Sequence, residues 1–356
     1  MKIINDTHLG VSRQSGTTPE SRRALAEFQL SQFEAELNTN DSVMILGDLF
    51  DKANVDLSVV WRTFKILSDY LEENTKKHFV YLVKGNHDAS NTWGKMCSLD
   101  LLAEMLDKFH PDSTVYITEP YDLSPTVRVI PHLPNQDTFD LEIKRADEEG
   151  VCTLLLHCNY DNPFAADKDH SLNITKEQAR LFGCLIIAHE HTLRDIDLGN
   201  TLVHVLGCQA PTSVADCKNS DRFTSTTFDP RSGCIDRTEV LDIGSLYSEI
   251  DWQEPDEEQA VLFIRITGNA TAEQAGKATQ AVSKFRKKSN AYVITNAIKI
   301  EGMTSEEDLE HATEEISSLN ITQLLYDQLK PWQVSAIKKF QGDEVVSLAE
   351  ESRNVK

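Results

Sequence analysis

The stretch Val43-Met44-Ile45-Leu46-Gly47-Asp48-Leu49-Phe50-Asp51 sets the pattern of the first half of the chain: an apolar run, a glycine, then two carboxylates. The apolar residues read as a strand, and Gly47 permits the turn that ends it. Apolar strand-like runs recur at Ile3–Ile4, Phe79–Val83, Val127–Ile130, Cys152–Leu156, Leu185–Ala188 and Leu202–Leu206. Amphipathic stretches separate several of these runs. Residues 19–37 bring Leu25, Phe28, Phe33 and Leu37 near one helical face. Before them, Thr18-Pro19-Glu20 supplies a cap, a first-turn proline and an acid matched to the helix dipole. Residues 57–73 carry Val60, Phe64, Leu67 and Leu71 at helical spacing, and residues 98–109 carry Leu99, Leu102, Met105, Leu106 and Phe109. Strands alternating with helices predict a layered α/β domain.

Five short polar pieces each follow a predicted strand: Asp6-Thr7-His8, Gly47-Asp48-Leu49-Phe50-Asp51, Gly85-Asn86-His87-Asp88, His157, and His189-Glu190-His191. They hold five of the eleven histidines, a concentration that singles out the strand ends, where α/β folds gather their ligands. In an extended segment residues i and i+2 point the same way, so Asp6 with His8, and His189 with His191, are expected to project in pairs into one crevice. Gly47 and Gly85 leave room for Asp48 and Asn86 to approach a metal closely. The candidate ligands are therefore Asp6, His8, Asp48, Asn86, His157, His189 and His191. Carboxylate, amide and imidazole donors suit Mn²⁺, Fe²⁺ or Zn²⁺, and the lack of a thiolate argues against a structural cysteine–zinc site. His132 and His204 read as packed or surface histidines, and His78, His110, His170 and His311 as solvated ones. Cys158 reads as a small core residue.

The ordered motifs resemble the calcineurin-like metallophosphoesterase superfamily, whose pattern is D-x-H, GD-x-x-D, GNH-D/E, a lone His, then GH-x-H; Ala188 stands where the last motif usually has glycine. The resemblance implies a four-layer α-β-β-α sandwich core. It implies two divalent ions, most often Mn²⁺, with Mg²⁺, Fe²⁺ or Zn²⁺ as alternatives, clamping a phosphate and lowering the pKa of a water. Carried over residue by residue, Asp6, His8 and His191 would hold one ion, Asn86, His157 and His189 the other, and Asp48 would bridge. Asp51 would support the ligands. His87, oriented by Asp88, would face the substrate as the catalytic residue; the alternative is that His87 is only a structural partner of Asp88.

Within the superfamily, Asp6-Thr7-His8-Leu9-Gly10 and Gly47-Asp48-Leu49-Phe50-Asp51 look like the SbcD-type DNA-repair nuclease branch. Protein phosphatases typically continue the second motif with Arg-Gly, whereas Lys52-Ala53 follows here. Gly207-Cys208-Gln209-Ala210-Pro211-Thr212-Ser213 loosely resembles a glycine-serine-proline segment of that branch. This resemblance implies a DNA exonuclease/endonuclease subunit acting in DNA end processing, recombination and repair with an SbcC-type coiled-coil ATPase. It also implies a homodimer through helices 57–73 and 98–109, with Trp61 and Tyr70 as candidate contacts. Its compactness is similar to that of viral members. A stand-alone metallophosphatase or nucleotide phosphodiesterase acting on a small substrate remains the competing reading.

The implied organisation is a nuclease domain at 1–250, a charged linker at 251–258 containing Pro255, a capping domain at 259–302 and a helical tail at 303–356. The cap reads as β-α-β, with Thr271-Ala272-Glu273-Gln274 as a capping box. In the tail, Leu319, Ile321, Leu324, Leu325, Leu329, Trp332, Val334, Ile337 and Phe340 make apolar stripes that either pack on their own domain or grip a partner.

Forty per cent hydrophobic residues over 356 positions indicate a globular core. No apolar run approaches the ~20 residues of a membrane span, and a strand beginning at Lys2 leaves no room for a signal peptide. Seven cysteines, an odd number without Cys-x-x-Cys, read as reduced thiols of a cytoplasmic protein, or of the host cytoplasm for a viral member. The net charge of −22 opposes nucleic-acid binding, which is driven by neutralising phosphates. A DNA reading needs metals, a local basic patch or a partner. Lys284, Arg286, Lys287 and Lys288, with Arg13, Arg22 and Arg23, are candidates; the first group equally matches a helix C-terminus.

Overall fold

The computed structural model describes residues 1–11, 19–73, 78–90, 95–162, 171–212, 216, 223–241, 246–253, 261–291 and 293–300, with the backbone alone at 19–22 and 293–296. The expected linker lies partly, and the expected tail wholly, outside the described residues, as do Arg13, His170 and His311. The chain divides into two compact units, Met1–Ile266 with Ala281–Asn296, and Thr267–Gln280 with Ala297–Lys356. Every candidate site residue belongs to the first.

In chain order the elements are β1 (Lys2–Ile4), α1 (Pro19–Glu36), β2 (Val43–Leu46), α2 (Leu57–Glu73), β3 (Val80–Val83), α3 (Ser98–Phe109), β4 (Thr114–Ile117), β5 (Tyr121–Ser124) and β6 (Val127–Ile130). There follow α4 (Gln136–Glu148), β7 (Thr153–His157), β8 (Asn159–Tyr160), β9 (Asn173–Ile174), α5 (Lys176–Ala179), β10 (Cys184–Ala188), β11 (Arg194–Asp197) and β12 (Leu202–Val205). The last are β13 (Thr224–Asp229), β14 (Cys234–Val240), β15 (Tyr247–Asp251), β16 (Phe263–Ala270), α6 (Ala275–Lys288) and β17 (Val293–Ile300).

Two six-stranded sheets form the core, ordered β14-β13-β1-β2-β3-β4 and β11-β12-β10-β7-β6-β5. In the first, β1 through β4 run parallel and β13 joins β1 antiparallel. In the second, β12, β10, β7 and β6 run parallel between antiparallel edges. The mixed α/β fold expected from the sequence is therefore present. β15, β16 and β17 make a separate three-stranded sheet, and Gln274 Oε1 accepts the Thr271 N–H at 3.1 Å, one half of the expected capping box.

Strand periodicity divides the core. Ile4, Val43, Ile45, Val80 and Leu82 pack with Leu30 and Phe33 of α1, Phe64 and Leu67 of α2, and Leu102 and Leu106 of α3. Their alternates Ile3, Met44, Leu46 and Val83 meet Val127, Val129, Leu155 and Ile186 of the second sheet. The other face of that sheet, Leu154, Leu156, Leu185 and Ile187, packs with Phe139, Ile143 and Ala146 of α4. Because side chains alternate with period two, each central strand is apolar on both faces, and this is why these strands read as unbroken apolar runs. Two surface expectations are corrected. His78 is buried rather than solvated, and Tyr70 is buried with its hydroxyl donating to the Asp41 carbonyl, so it is not an exposed contact. His110 is half-buried, pairing with Ser68 Oγ at 2.7 Å. Leu57, Trp61 and Phe109 are exposed on α2 and α3.

Candidate metal centre

The carboxyl ends of β1, β2, β3, β7 and β10 release the predicted ligands. The loops after β1 and β2 are laced together: Asp6 N–H donates to Gly47 O, His8 N–H to Asp48 O at 3.0 Å, Leu9 N–H to Leu49 O at 2.8 Å, and Asp51 N–H back to Leu9 O at 3.1 Å. Asp88 ties in the third loop, its carboxylate accepting the backbone N–H groups of Leu49, Phe50 and Gly85. Glycine is required at two places. A Cβ on Gly47 would lie 2.2 Å from His157 Nδ1, and one on Gly85 would lie 2.2 Å from Asp48 Oδ1 and 2.3 Å from Asp48 N.

Asp6, His8 and His191 offer ligand atoms within 4.8 Å of one another, as do Asp48, His157 and His189, and His8, Asp48 and His87. Each of these groups could hold a metal ion. Two local geometries fit cations. His157 Nδ1 faces the Leu46 carbonyl at 3.1 Å, so its proton sits there, while Nε2 meets Asn86 Oδ1 at 3.0 Å and Asp48 Oδ2 at 3.2 Å. A ring nitrogen crowded by two oxygens needs either a second proton or a shared cation. In the other group, His8 Nε2 and His191 Nε2 face each other at 3.3 Å, close to the spacing of two nitrogens each ~2.0–2.1 Å from one ion. Asp6 Oδ1 is buried without a partner, while Oδ2 accepts from Asn5 Nδ2 at 2.8 Å and His189 N–H at 3.0 Å.

The electrostatics agree. Burial would raise the Asp48 carboxyl, but the neighbouring His157, with His8 and His87, holds it well below the usual carboxylate range. Burial would lower His157, but Asp48 pushes it up to about 9. Burial also dominates at His8, where with the neighbouring imidazoles it outweighs what Asp48 restores, and the ring lies well below the usual value. Burial, reinforced by Asp48, lifts Asp88 to about 7. The centre thus holds negative charge that demands protons or cations.

The seven expected ligands do converge, though not by the expected route. Asp6, His8, Asp48 and His189 have φ of 48°, 46°, 49° and 94°. They are left-handed turns beyond the strand ends, not an extended i, i+2 pair. His87 is also held differently. Its Nδ1 pairs with the Asp51 carbonyl at 2.7 Å and its backbone N–H with Asp48 Oδ1 at 2.9 Å, while Asp88 is occupied by backbone groups. Asp51 Oδ1 stands 3.9 Å from His8 Nδ1.

Sequence reasoning missed Asp216. Its Oδ2 lies 3.6 Å from His191 Nδ1 and accepts both the backbone N–H and hydroxyl of Thr212 at 3.0 Å. Burial would lower His191, but the Asp216 carboxylate raises it, and His191 in turn depresses Asp216. Only the nearby Gly207–Ser213 resemblance pointed toward this segment. Asn5 Nδ2 anchors it through the Gly207 carbonyl at 2.8 Å. His132 was read as packed or surface. It stands half-buried beside the site, held down to about 4 by burial and by the charge of His157.

A layered α/β core with paired carboxylate–imidazole clusters at its strand ends is the construction of a metal-dependent phosphoesterase. The calcineurin-like phosphoesterase family pattern matches residues 2–192, and the chain belongs to that family. Among solved structures it is similar to a novel archaeal phosphodiesterase (16% identity, 67% of this chain and 98% of that one, TM-score 0.32). Phosphopantetheinyl hydrolase from Mycobacterium tuberculosis shares 13% identity over 58% of this chain and 89% of its own, with a TM-score of 0.32. A dimetal phosphatase from Danio rerio shares 13% over 63% and 91%, with a TM-score of 0.33. Likeness at this level decides neither substrate nor metal. No curated protein matches the chain. Among the described residues, no helix is long and apolar enough to cross a membrane.

Proposed function

We propose that the protein is a two-metal phosphodiesterase of the SbcD-type branch, a Mn²⁺-dependent DNA exonuclease/endonuclease subunit that works with an SbcC-type coiled-coil ATPase. The observation that carries the phosphodiesterase reading is the pair of clusters Asp6/His8/His191 and Asp48/His157/His189. Asn86 joins the second through His157, and Asp48, within ion-pair distance of both His8 and His157, bridges them. When bound, two divalent ions neutralise phosphate charge and lower the pKa of a water toward neutrality. The chain's own residues do the rest. The Leu46 carbonyl holds the proton of His157 on Nδ1, and the Asp216 carboxylate, 3.6 Å from His191 Nδ1, favours the same there, leaving Nε2 of each for a metal. The Asp51 carbonyl holds His87 by Nδ1, so its Nε2 is the atom that carries or delivers a proton. Protonated there, His87 gives that proton to the leaving oxygen as the P–O bond breaks.

The DNA reading draws support from the Lys52-Ala53 continuation of the second motif and from the anchoring of the Gly207–Thr212 segment beside the ligands. Exposed Leu57, Trp61 and Phe109 on α2 and α3 suit a homodimer face. The net charge of −22 favours the second reading, a stand-alone phosphatase or nucleotide phosphodiesterase, unless the partner supplies phosphate contacts. The deciding experiment is cleavage of linear duplex DNA with Mn²⁺, alone and with the ATPase. Activity on small phosphodiesters with none on any DNA rejects the nuclease reading. His87→Ala is expected to abolish turnover while both metals remain bound; retained turnover removes His87 from catalysis.

A further inference from the structure

His132 follows Pro131 just beyond β6. Strand β6 pairs in parallel with β7, placing Ile130 beside Leu156, one residue before His157. On the other side of β7, Ala188 of β10 lies beside His157, with His189 next. Three adjacent parallel strands therefore each deliver a histidine near their carboxyl ends. The His132 N–H donates to the Lys84 carbonyl at 2.8 Å, the residue before Gly85-Asn86, so His132 is pinned to the third ligand loop as well. His157, Asp48, His189 and Lys84 are the charged groups whose fields act on its ring.

The ring has an unusual partnering. Nδ1 is enclosed and has no hydrogen-bond partner, while the residue as a whole keeps partial exposure. A buried N–H without an acceptor is costly, whereas an unpaired ring lone pair is better tolerated. The neutral ring therefore keeps its proton on Nε2, the nitrogen on the exposed side. The ligands present oxygens and lone pairs, and Lys84 is tied to Asp100 at 3.3 Å.

We infer that His132 is a further substrate-contacting residue, its Nε2–H donating to a non-bridging phosphate oxygen on the His157–His189 side of the centre. The inference rests on the phosphodiesterase reading above, and the test separates the two. Full-length protein loaded with Mn²⁺ is compared as wild type, His132→Phe, His132→Asn and His132→Gln. The readouts are metal content, orthophosphate binding by calorimetry, and hydrolysis of bis(p-nitrophenyl) phosphate. Phe lacks the donor and Asn is too short to place it, so both are expected to keep wild-type metal content. Both should bind orthophosphate about tenfold more weakly and lose about tenfold in kcat/KM. Gln, with an amide N–H of longer reach, should recover much of both. Should Phe not fold, the contrast between Asn and Gln decides. Orthophosphate affinity and turnover within twofold of wild type in both Phe and Asn overturn the inference, and so does loss of a metal in either. A wild type that neither binds orthophosphate nor cleaves the diester overturns the parent reading and this inference with it.

Discussion

His191 is a candidate ligand supported by a side chain from outside its own loop, and that support can be removed. Asp216 Oδ2 faces His191 Nδ1 at 3.6 Å and also receives the Thr212 N–H and hydroxyl at 3.0 Å. Loss of such a carboxylate typically costs a histidine-ligated site 10–100-fold in metal affinity, about 1.4–2.7 kcal/mol. Asp216→Ala does more than that, because the buried Thr212 N–H and hydroxyl lose their acceptor, a further ~1–3 kcal/mol of folding stability. Asp216→Asn separates the two effects. Its amide oxygen can still accept from Thr212, but it no longer supplies the negative charge that draws the His191 proton to Nδ1. Metal-free protein titrated with Mn²⁺, followed by calorimetry and electron paramagnetic resonance, is expected to show two sites in the wild type. In Asp216→Asn the site of Asp6, His8 and His191 should weaken 10–100-fold while that of Asp48, His157 and His189 holds. Two affinities within twofold of wild type, or an equal fall in both, would refute the reasoning.

Gly85→Ala should destroy the centre, since its Cβ would sit 2.3 Å from the Asp48 backbone nitrogen as well as against its carboxylate; overpacking of this kind costs ~1–3 kcal/mol, and bound metal measured after purification should fall below one ion per chain. Gly150→Ala is the control, because its Cβ meets nothing within 4 Å and only its φ of 77° is strained. Stripping metal with a chelator should end phosphodiester hydrolysis while the far-ultraviolet dichroism spectrum is unchanged; loss of secondary structure would contradict it. Asp100 gives a pH prediction. Partial burial works against its charge, yet the Cys97 N–H and the Tyr116 hydroxyl hold its carboxyl down to about 2. A depressed folded-state pKa contributes stability that is present above the unfolded value near ~4 and is lost as pH falls toward about 2. The urea midpoints of wild type and Asp100→Asn should therefore converge over that window, and a constant gap would count against the linkage.

The sequence displayed those parts of the fold whose local pattern is generated by burial. β2, β7 and β10 are apolar on both faces because helices and the other sheet cover them, so they stand out as unbroken runs. The helix α4 was not legible. It buries only Phe139, Ile143 and Ala146 of thirteen residues, and its polar remainder hides that spacing. β14 showed only as a β-like piece without clear bounds, since nearly all of it is exposed and one-sided alternation never develops. The ligands were legible because each ends or follows a strand, but their backbone was not. Left-handed φ at Asp6, His8, Asp48 and His189 leaves no mark in composition, as none is glycine. Asp216 was out of reach for another reason. It contacts His191 across twenty-five positions of sequence, with no motif spacing to announce it.

Those left-handed residues bear on what kind of metal site this is. Among the described residues only five without glycine have positive φ, and four of them are candidate ligands. Such conformations cost ~1–3 kcal/mol each and persist only where surrounding structure imposes them. Here the imposing structure is protein. The N–H groups of His8, Leu9 and Asp51 are bonded across the first two loops, Asp88 clamps the second and third, and His189 N–H is fixed by Asp6. A structural metal usually organises ligands that would be disordered without it. This centre is also tied together by hydrogen bonds within the protein. A pre-formed cluster of buried imidazole lone pairs and carboxylates, one of whose oxygens has no partner, is destabilising unless cations are to be bound there. Ordered ligands also keep coordination geometry constant while charge shifts on a phosphate, which is what electrostatic catalysis requires. The strain thus fits the phosphoesterase use proposed above, in which fixed ligand geometry serves turnover.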